Sequence, residues 1–233
     1  RAPTWSPDGS RLLYGANIPY QPCADCLPPP EPGDLELMVV DLAGGGDPVA
    51  FTADGSTSRG GQPTYSPDGT LVAFSGPPRD PDPGIFGATY LIGADGSEAR
   101  LLADGAYPAG WLVDGRLLVT RERDSTVHAI DVASGESVQV GGDQSASVSP
   151  DGTRSLVWMS DPVTGAPGLQ LWTGEGKLVG ETLGTFGAWN PDSSTFAIFG
   201  NDSGLHVVSR DGELLASYEI GASGGTAAWR PGS

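Results

Sequence analysis

Two cysteines, Cys23 and Cys26, form the sharpest local motif in the sequence that could carry chemistry. A zinc site would need two more thiolate or imidazole ligands, and the chain contains no other cysteine. A redox-active pair would stand at the start of a helix in a β-α-β unit, and no such context surrounds these residues. The pair therefore predicts a small disulfide that ties its proline-rich loop, in an oxidising compartment.

Two aspartates, Asp80 and Asp82, are weak candidates for calcium binding because carboxylate oxygens suit this ion. Calcium takes roughly six to eight oxygen ligands, and no suitable glutamate lies nearby in the sequence. A solvated acidic loop is the simpler interpretation, and no other cofactor is expected. The pattern G-x-S-x-G around Ser223 would need an elbow between a strand and a helix, with an acid and a histidine further on. No Asp, Glu or His follows Ser223, so we predict no catalytic residue.

The elements that must position these residues are repeats. The phrase PTWSPDGSRLLYGA opens at Pro3 and returns as PTYSPDGTLVAFSG at Pro63. Eroded copies begin at Ala109, Ala146 and Gly187, and the fragment AAWRPGS ends the sequence. Most copies lie about 40 residues apart, a period typical of four-stranded propeller blades. We call the position of the first tryptophan in the phrase the marker; the markers are Trp5, Tyr65, Trp111, Val148, Trp189 and Trp229.

Each copy predicts four short strands. Pro-Asp-Gly forms a tight turn, because proline presets φ, aspartate bonds back to the backbone, and glycine accepts positive φ. An apolar strand follows this turn, and a third strand runs into a glycine-containing hairpin such as Asp95-Gly96 or Asp211-Gly212. A fourth strand then returns. With no helical periodicity between them, four strands per period predict small sheets packed radially, with the markers between neighbouring blades.

The Trp-Ser-Pro-Asp-Gly phrase, the strand after it and the Asp-x-x-Gly hairpin resemble the PD40 (WD40-like) repeat of TolB-type β-propellers. The resemblance covers nearly the whole chain and implies an all-β propeller of four-stranded antiparallel blades in a single domain, 1–233. The repeats would span about 3–62, 63–108, 109–145, 146–186 and 187–226, with a partial repeat over 227–233. Three copies depart from the phrase: the third has LVDG, the fourth has Val148 as marker, and the fifth has Ser193 in place of glycine.

The blade number is the open point of this resemblance. Propellers of this type usually have six blades, which implies that five complete repeats and one strand lie in this chain. The strands that complete the sixth blade would then lie outside this piece or come from a partner chain. A five-bladed ring with a redundant last strand is the alternative.

The two histidines, His128 and His206, occupy the same position of the predicted third strand. Other repeats place Met38, Tyr90 and Gln170 there, so the position is interpreted as a semi-exposed packing site. Metal binding by the two histidines is not expected, because a blade lies between them.

Two insertions follow the second strand of the first and second repeats, at residues 17–33 and 76–87. Both would emerge on the same rim, and long proline-rich loops on a rigid scaffold are candidates for recognition. The alternative is tolerated surface decoration. The binding-loop candidates are Tyr20, Asp25, Arg79, Asp80, Asp82 and Phe86.

The acidic composition limits the partners. A net charge of −17 repels phosphate backbones and anionic lipid, so nucleic acid is not an expected partner. No apolar run reaches the roughly 18 residues that a membrane helix needs. The chain opens on Arg1 without a signal-peptide pattern, so it is interpreted as a processed or excised piece.

These observations favour a non-catalytic propeller outside the cytoplasm, whether periplasmic, cell-surface or secreted, that binds a protein, a peptide or a surface ligand. The resemblance implies such a role, since TolB-like propellers serve as interaction platforms and similar repeats form sensor domains. Two enzymatic alternatives stay open. The chain could be the gating propeller of a prolyl-oligopeptidase-type serine peptidase whose catalytic domain is absent here, or a metal-dependent propeller hydrolase.

Overall fold

A computed structural model of the chain describes residues 3–17, 35–42, 44–51, 61–79, 86–141, 146–160, 165, 167–200, 202 and 204–220. These residues form strands and turns, with no helix among them. None of the described segments forms a helix of the length and apolar character needed to cross a lipid bilayer.

The described strands assemble into five four-stranded antiparallel sheets, each a simple meander, which we call blades 1 to 5. Blade 1 contains β1 (Thr4–Trp5), β2 (Arg11–Asn17), β3 (Leu35–Asp41) and β4 (Val49–Ala50). Blade 2 contains β5 (Gly61–Tyr65), β6 (Leu71–Gly76), β7 (Ala88–Gly93) and β8 (Arg100–Asp104). Blade 3 contains β9 (Ala106–Trp111), β10 (Leu117–Arg121), β11 (Val127–Ile130) and β12 (Ser137–Gly141). Blade 4 contains β13 (Ala146–Val148), β14 (Arg154–Ser160), β15 (Pro167–Thr173) and β16 (Leu178–Leu183), and blade 5 contains β17 (Thr185–Trp189), β18 (Thr195–Phe199), β19 (Gly204–Ser209) and β20 (Leu214–Glu219).

The chain divides into two compact units, Arg1–Pro108 and Ala109–Ser233, which we call unit 1 and unit 2. Unit 1 holds blades 1 and 2. Unit 2 holds blades 4 and 5 and most of blade 3. The all-β class and the four-stranded antiparallel blades predicted from the sequence are confirmed.

The Ser-Pro-Asp-Gly phrase closes into a hydrogen-bonded turn. In blade 2 the Ser66 hydroxyl donates to Asp68 Oδ1 at 2.6 Å, and the Ser66 oxygen accepts the Leu71 N–H at 2.9 Å. The Ser66 hydroxyl is the main cause of the lowered pKa of Asp68. In blade 1 the equivalent hydrogen bond from Ser6 is the largest of several that lower the pKa of Asp8 to about 2. The phrase is therefore a structural turn whose aspartate is ionised.

The structure of blade 5 explains why its copy of the phrase has a serine in place of glycine. Ser193 stands where the other copies have glycine, and its φ of 61° is in the left-handed region. Its side chain is buried, and its hydroxyl oxygen accepts the backbone N–H of Asp151 in blade 4 at 3.0 Å. The strained backbone at this position is offset by a hydrogen bond between two neighbouring blades, which glycine could not make.

The apolar core lies between the blades. In unit 1 one cluster joins Leu13 and Leu37 of blade 1 to the marker Tyr65 of blade 2. In unit 2 another cluster joins Leu156 and Leu171 of blade 4 to the marker Trp189 of blade 5. Each of these two markers packs on the blade before its own, as the repeats predict.

Marker exposure follows the same rule. Tyr65 and Trp189, whose preceding blades lie in their own units, are 8% and 9% exposed, whereas Trp5 is 58% exposed. Trp5 belongs to blade 1, and no earlier blade is present among the described residues of unit 1 to cover it. The marker side chain is therefore buried by the preceding blade and not by the blade to which it belongs.

Arginines that follow the turn reach across to the next blade. In unit 1 Arg11 Nη1 donates to the Ala94 carbonyl oxygen at 3.5 Å. In unit 2 Arg116 Nη2 donates to the carbonyl oxygen of Gly174 at 2.6 Å, and Arg154 Nε donates to that of Arg210 at 3.3 Å. Each acceptor lies in the turn between the third and fourth strands of the following blade. These contacts add a polar tie to the apolar contact between blades.

One buried polar atom takes no part in these hydrogen bonds between blades. The Tyr65 hydroxyl is inaccessible to solvent and has no hydrogen-bond partner among the described residues. Burial raises the pKa of Tyr65, so the group stays a neutral phenol. Burying a hydroxyl without a partner costs roughly 1–3 kcal/mol. The ring of Tyr65 therefore stabilises the interface between blades 1 and 2 while its hydroxyl opposes this effect.

We predict that Tyr65→Phe raises the free energy of unfolding by about 1 kcal/mol, because it removes the unpaired hydroxyl and keeps the ring. Tyr90→Phe is the matched control, since the Tyr90 hydroxyl donates to the Pro77 carbonyl at 2.8 Å, and we expect a loss of about 1 kcal/mol there. Urea unfolding of both variants measures the difference. Equal losses of stability in both would contradict the assignment.

A second prediction concerns the turn glycines. Gly152 has a φ of 67°, and a Cβ there would lie 2.5 Å from the backbone nitrogen of Val113 in blade 3. Gly9 has a similar φ of 70° at the equivalent turn, with no atom within 4 Å of its Cβ position. We expect Gly9→Ala to cost about 1–2 kcal/mol from backbone strain alone, and Gly152→Ala to cost at least about 3 kcal/mol.

Chemical denaturation of the two alanine variants separates backbone strain from blade packing. Similar losses for both would show that the close approach of Val113 to Gly152 contributes nothing to the interface between blades 3 and 4.

Candidate binding rim

The two long insertions leave the same end of neighbouring blades in unit 1. The first insertion separates β2 from β3 in blade 1, and the second insertion separates β6 from β7 in blade 2. At the opposite end of these sheets the turns Pro7–Asp8 and Asp68–Gly69 line one cavity of about 350 Å³. Since the turns at that end lie together, the described ends of both insertions lie at the opposite end of the same two blades, which we call the insertion rim.

Two hydrogen bonds hold the start of the second insertion against blade 2. The backbone N–H of Arg79 donates to Asp104 Oδ1 at 2.9 Å, at the end of β8. The Tyr90 hydroxyl, in β7, donates to the carbonyl oxygen of Pro77 at 2.8 Å. The loop therefore leaves the sheet from a fixed base.

Tyr90 connects this base to the core. Its ring stacks on Phe74 with centroids 5.6 Å apart and an interplanar angle of 21°, and Phe74 is fully buried. Burial, with a smaller effect of the Asp104 charge, raises the pKa of Tyr90, so its hydroxyl remains a hydrogen-bond donor. The sequence interpretation of this position as a packing site misses this second role, because the contact with Pro77 depends on where the loop returns.

Beyond this base the rim presents an aromatic and a cationic side chain. Phe86 is 79% exposed, and Arg79 is also exposed. Aromatic residues and arginine are enriched among the residues that dominate protein–protein binding energies. An exposed phenylalanine beside a loop with a fixed base can act as an anchor for a partner.

The other predicted residues of this rim lie outside the described residues: Tyr20, Cys23, Asp25, Cys26, Asp80 and Asp82. The disulfide and the weak calcium site therefore stay predictions. The same holds for Ser223 and the marker Trp229. Within the described ranges, no group of three or more His, Cys, Asp or Glu side chains is placed to hold a metal ion.

A polar chain in blade 5 was not predicted. The Ser217 hydroxyl lies 2.9 Å from His206 Nδ1, and His206 Nε2 lies 2.9 Å from Asp202 Oδ1. A sequence signal for part of it exists, because DSTVH at 124–128 and DSGLH at 202–206 share the same spacing in blades 3 and 5. The serine comes from the neighbouring strand β20, which that spacing does not indicate.

The fixed base of the second insertion makes a direct prediction. Asp104→Ala removes the acceptor of the Arg79 N–H, and we expect this amide to exchange with solvent about tenfold faster. Asp95→Ala is the control, since Asp95 accepts the Ser97 N–H at 3.0 Å in the exposed turn of the same blade. Hydrogen exchange at single-residue resolution measures both. Unchanged protection of Arg79 in Asp104→Ala would contradict a fixed base.

The sequence matches no protein-family model and no curated protein. Solved structures do match. TolB from Acinetobacter baumannii gives a TM-score of 0.62 at 14% identity, over 92% of this chain and 52% of that one. A structure assigned as TolB from Agrobacterium tumefaciens gives 0.62 at 22% identity, over 92% and 78%. An oligogalacturonate lyase in complex with manganese gives 0.61 at 17% identity, over 90% and 64%.

These similarities concern the fold. The chain spans about half the length of the A. baumannii TolB it matches. At these identities the comparison carries no residue roles, and it agrees with the five antiparallel blades. The chain has a β-propeller fold of the TolB type.

Proposed function

We propose that this chain is an extracytoplasmic binding or sensor scaffold that recognises a protein, a peptide or a surface ligand through its insertion rim. Recognition at this rim requires no catalysis. The observation that carries the proposal is the pairing of a fixed loop base, held by Asp104 and Tyr90, with Phe86 exposed at 79%.

The physical reason is preorganisation. A loop whose base is held by hydrogen bonds loses less conformational entropy on binding than one with a free base, so more of the contact energy remains as affinity. The prolines of both insertions act in the same direction. An aromatic side chain then offers a large apolar surface with few rotatable bonds. This combination suits complexes in which the partner docks on a scaffold that changes little.

Charge limits the partner further. The net charge of −17 favours a partner with a neutral or basic contact surface and disfavours nucleic acid. The predicted disulfide between Cys23 and Cys26 supports an oxidising compartment, as does the TolB-type fold.

A metal-dependent propeller hydrolase is the competing proposal; its metal dependence, though not hydrolysis, is supported by one propeller of similar fold, an oligogalacturonate lyase in complex with manganese. It requires a stoichiometric metal ion, and elemental analysis of the purified chain decides this point. The gating propeller of a peptidase requires a catalytic α/β-hydrolase domain in the same protein, which sequence flanking this chain would show.

The decisive experiment selects peptide ligands for the full chain from a random displayed library and compares their affinities for rim variants. We expect Phe86→Ala to weaken binding at least about tenfold, because a buried aromatic anchor contributes roughly 2 kcal/mol or more. Arg79→Ala should weaken binding less.

The control is Val113→Ala, which truncates another exposed apolar side chain, 61% exposed, in a turn between the first and second strands of a blade. Binding should change less than about twofold there, as for a residue outside the contact. Ligands that tolerate Phe86→Ala but not Val113→Ala would overturn the assignment of the insertion rim.

A further inference from the structure

A hydrogen-bonded Ser–His–Asp chain lies on blade 5, in unit 2. Ser217 in β20 stands directly opposite His206 in β19 in the strand register. The Ser217 oxygen is 2.9 Å from His206 Nδ1, and His206 Nε2 is 2.9 Å from Asp202 Oδ1. We propose that Ser217 is a nucleophilic serine that takes the acyl group from activated carboxylic esters.

The positions of the protons on the His206 ring follow from its hydrogen-bond partners. An ionised Asp202 can only accept, so His206 Nε2 carries a proton and donates it. In the neutral ring His206 Nδ1 is then an acceptor, and the Ser217 O–H donates to it. This is the arrangement in which an imidazole acts as general base toward a hydroxyl and a carboxylate orients the ring. The two ring nitrogens exchange places relative to the usual serine-protease arrangement.

The histidine ring is held firmly. Its side chain is only 14% exposed, whereas that of Asp202 is 65% exposed. The ring lies so close to Gly200 that a side chain at this position would overlap it. Asp202 Oδ1 also accepts the backbone N–H of Gly204 at 3.1 Å. The bond from His206 is the main cause of the lowered pKa of Asp202, so the carboxylate is charged and accepts the hydrogen bond of the ring Nε2–H.

Ser217 is accessible. It lies in the outermost strand of blade 5 and is exposed, as are Leu214, Leu215 and Tyr218 of the same strand. An acyl donor can therefore approach the hydroxyl from solvent.

Blade 3 provides an internal comparison. His128 occupies the equivalent position, but Gln139 stands opposite it where blade 5 has the serine. The Nε2 atom of His128 contacts Thr126 Oγ1 at 3.0 Å, and its Nδ1 is buried with no partner among the described residues. The shared Asp-Ser-x-x-His spacing therefore occurs without a serine on the ring, and only blade 5 joins all three groups.

Ser217, His206, the ester and one water molecule account for every bond and proton of the reaction. The Ser217 oxygen attacks the ester carbonyl while its proton moves to His206 Nδ1, forming the C–O bond of a tetrahedral intermediate. Collapse breaks the bond to the leaving alkoxide, which takes the proton from Nδ1. Water then attacks the acyl-serine, gives its proton to His206, and releases the carboxylic acid as the proton returns to Ser217.

The expected acceleration is that of general-base activation, about 10²–10⁴-fold over an ordinary serine. This magnitude suits esters with good leaving groups and not peptide bonds, whose cleavage also needs strong stabilisation of the oxyanion. The substrate class is therefore activated acyl esters.

The test treats the full chain with a fluorophosphonate probe and locates the adduct by mass spectrometry, alongside the hydrolysis rate of p-nitrophenyl acetate. We expect one adduct, on Ser217. His206→Gln should lower the labelling rate about 10²-fold or more, and Asp202→Asn should lower it about tenfold. Thermal unfolding of each variant checks that the fold is retained.

Ser137→Ala is the matched control, since Ser137 is an exposed serine in the outermost strand of blade 3 whose oxygen accepts a bond from Arg121 at 3.1 Å. Labelling of Ser217 should be unchanged there. The wild-type adduct does not depend on how any variant folds. No adduct on Ser217, or equal labelling in folded His206→Gln, overturns the proposal.

Discussion

A four-stranded sheet with two apolar faces cannot bury both of them by itself. Each blade solves this by packing on its neighbour, and the clusters in both units combine residues from two blades. Burying one large apolar side chain contributes about 1.5–3 kcal/mol, so a cluster of this kind outweighs any single polar contact between blades. The recurring aromatic of the repeat is placed at this interface, which is why Trp5 is exposed and Tyr65 is not.

Polar contacts refine this packing and are free to differ between copies. The Ser-Asp turn recurs nearly unchanged in blades 1, 2 and 4, because each bond in it is local. The ties between blades vary more: an arginine reaches a carbonyl at three interfaces, and Ser193 accepts an amide at another point. The same apolar packing between blades can therefore be accompanied by different polar contacts.

This division explains what the sequence could predict. Strands and turns depend on residues close in sequence, so the predicted strand Leu71–Phe74 lies within β6 and the positive φ of Gly69 follows from its turn. The role of Ser193 depends on an amide in another blade, and that of Tyr90 depends on the path of a loop. Neither of these hydrogen-bond partners can be predicted from the period of the repeat. Of the predicted rim residues, Arg79 and Phe86 lie on described backbone and are exposed, and their binding role stays a prediction.

The same reasoning indicates where new chemistry can arise in such a repeat. The second strand carries many packing constraints, since β18 is buried along almost its whole length. The outer strand carries fewer constraints, since β20 is exposed at five of its six positions. The connection between the second and third strands is equally free, as the two insertions show. Pro77 and Ser217, which contact Tyr90 in blade 2 and His206 in blade 5, both lie on these free elements, so the polar partner of a third-strand side chain can change while the third strand keeps its packing.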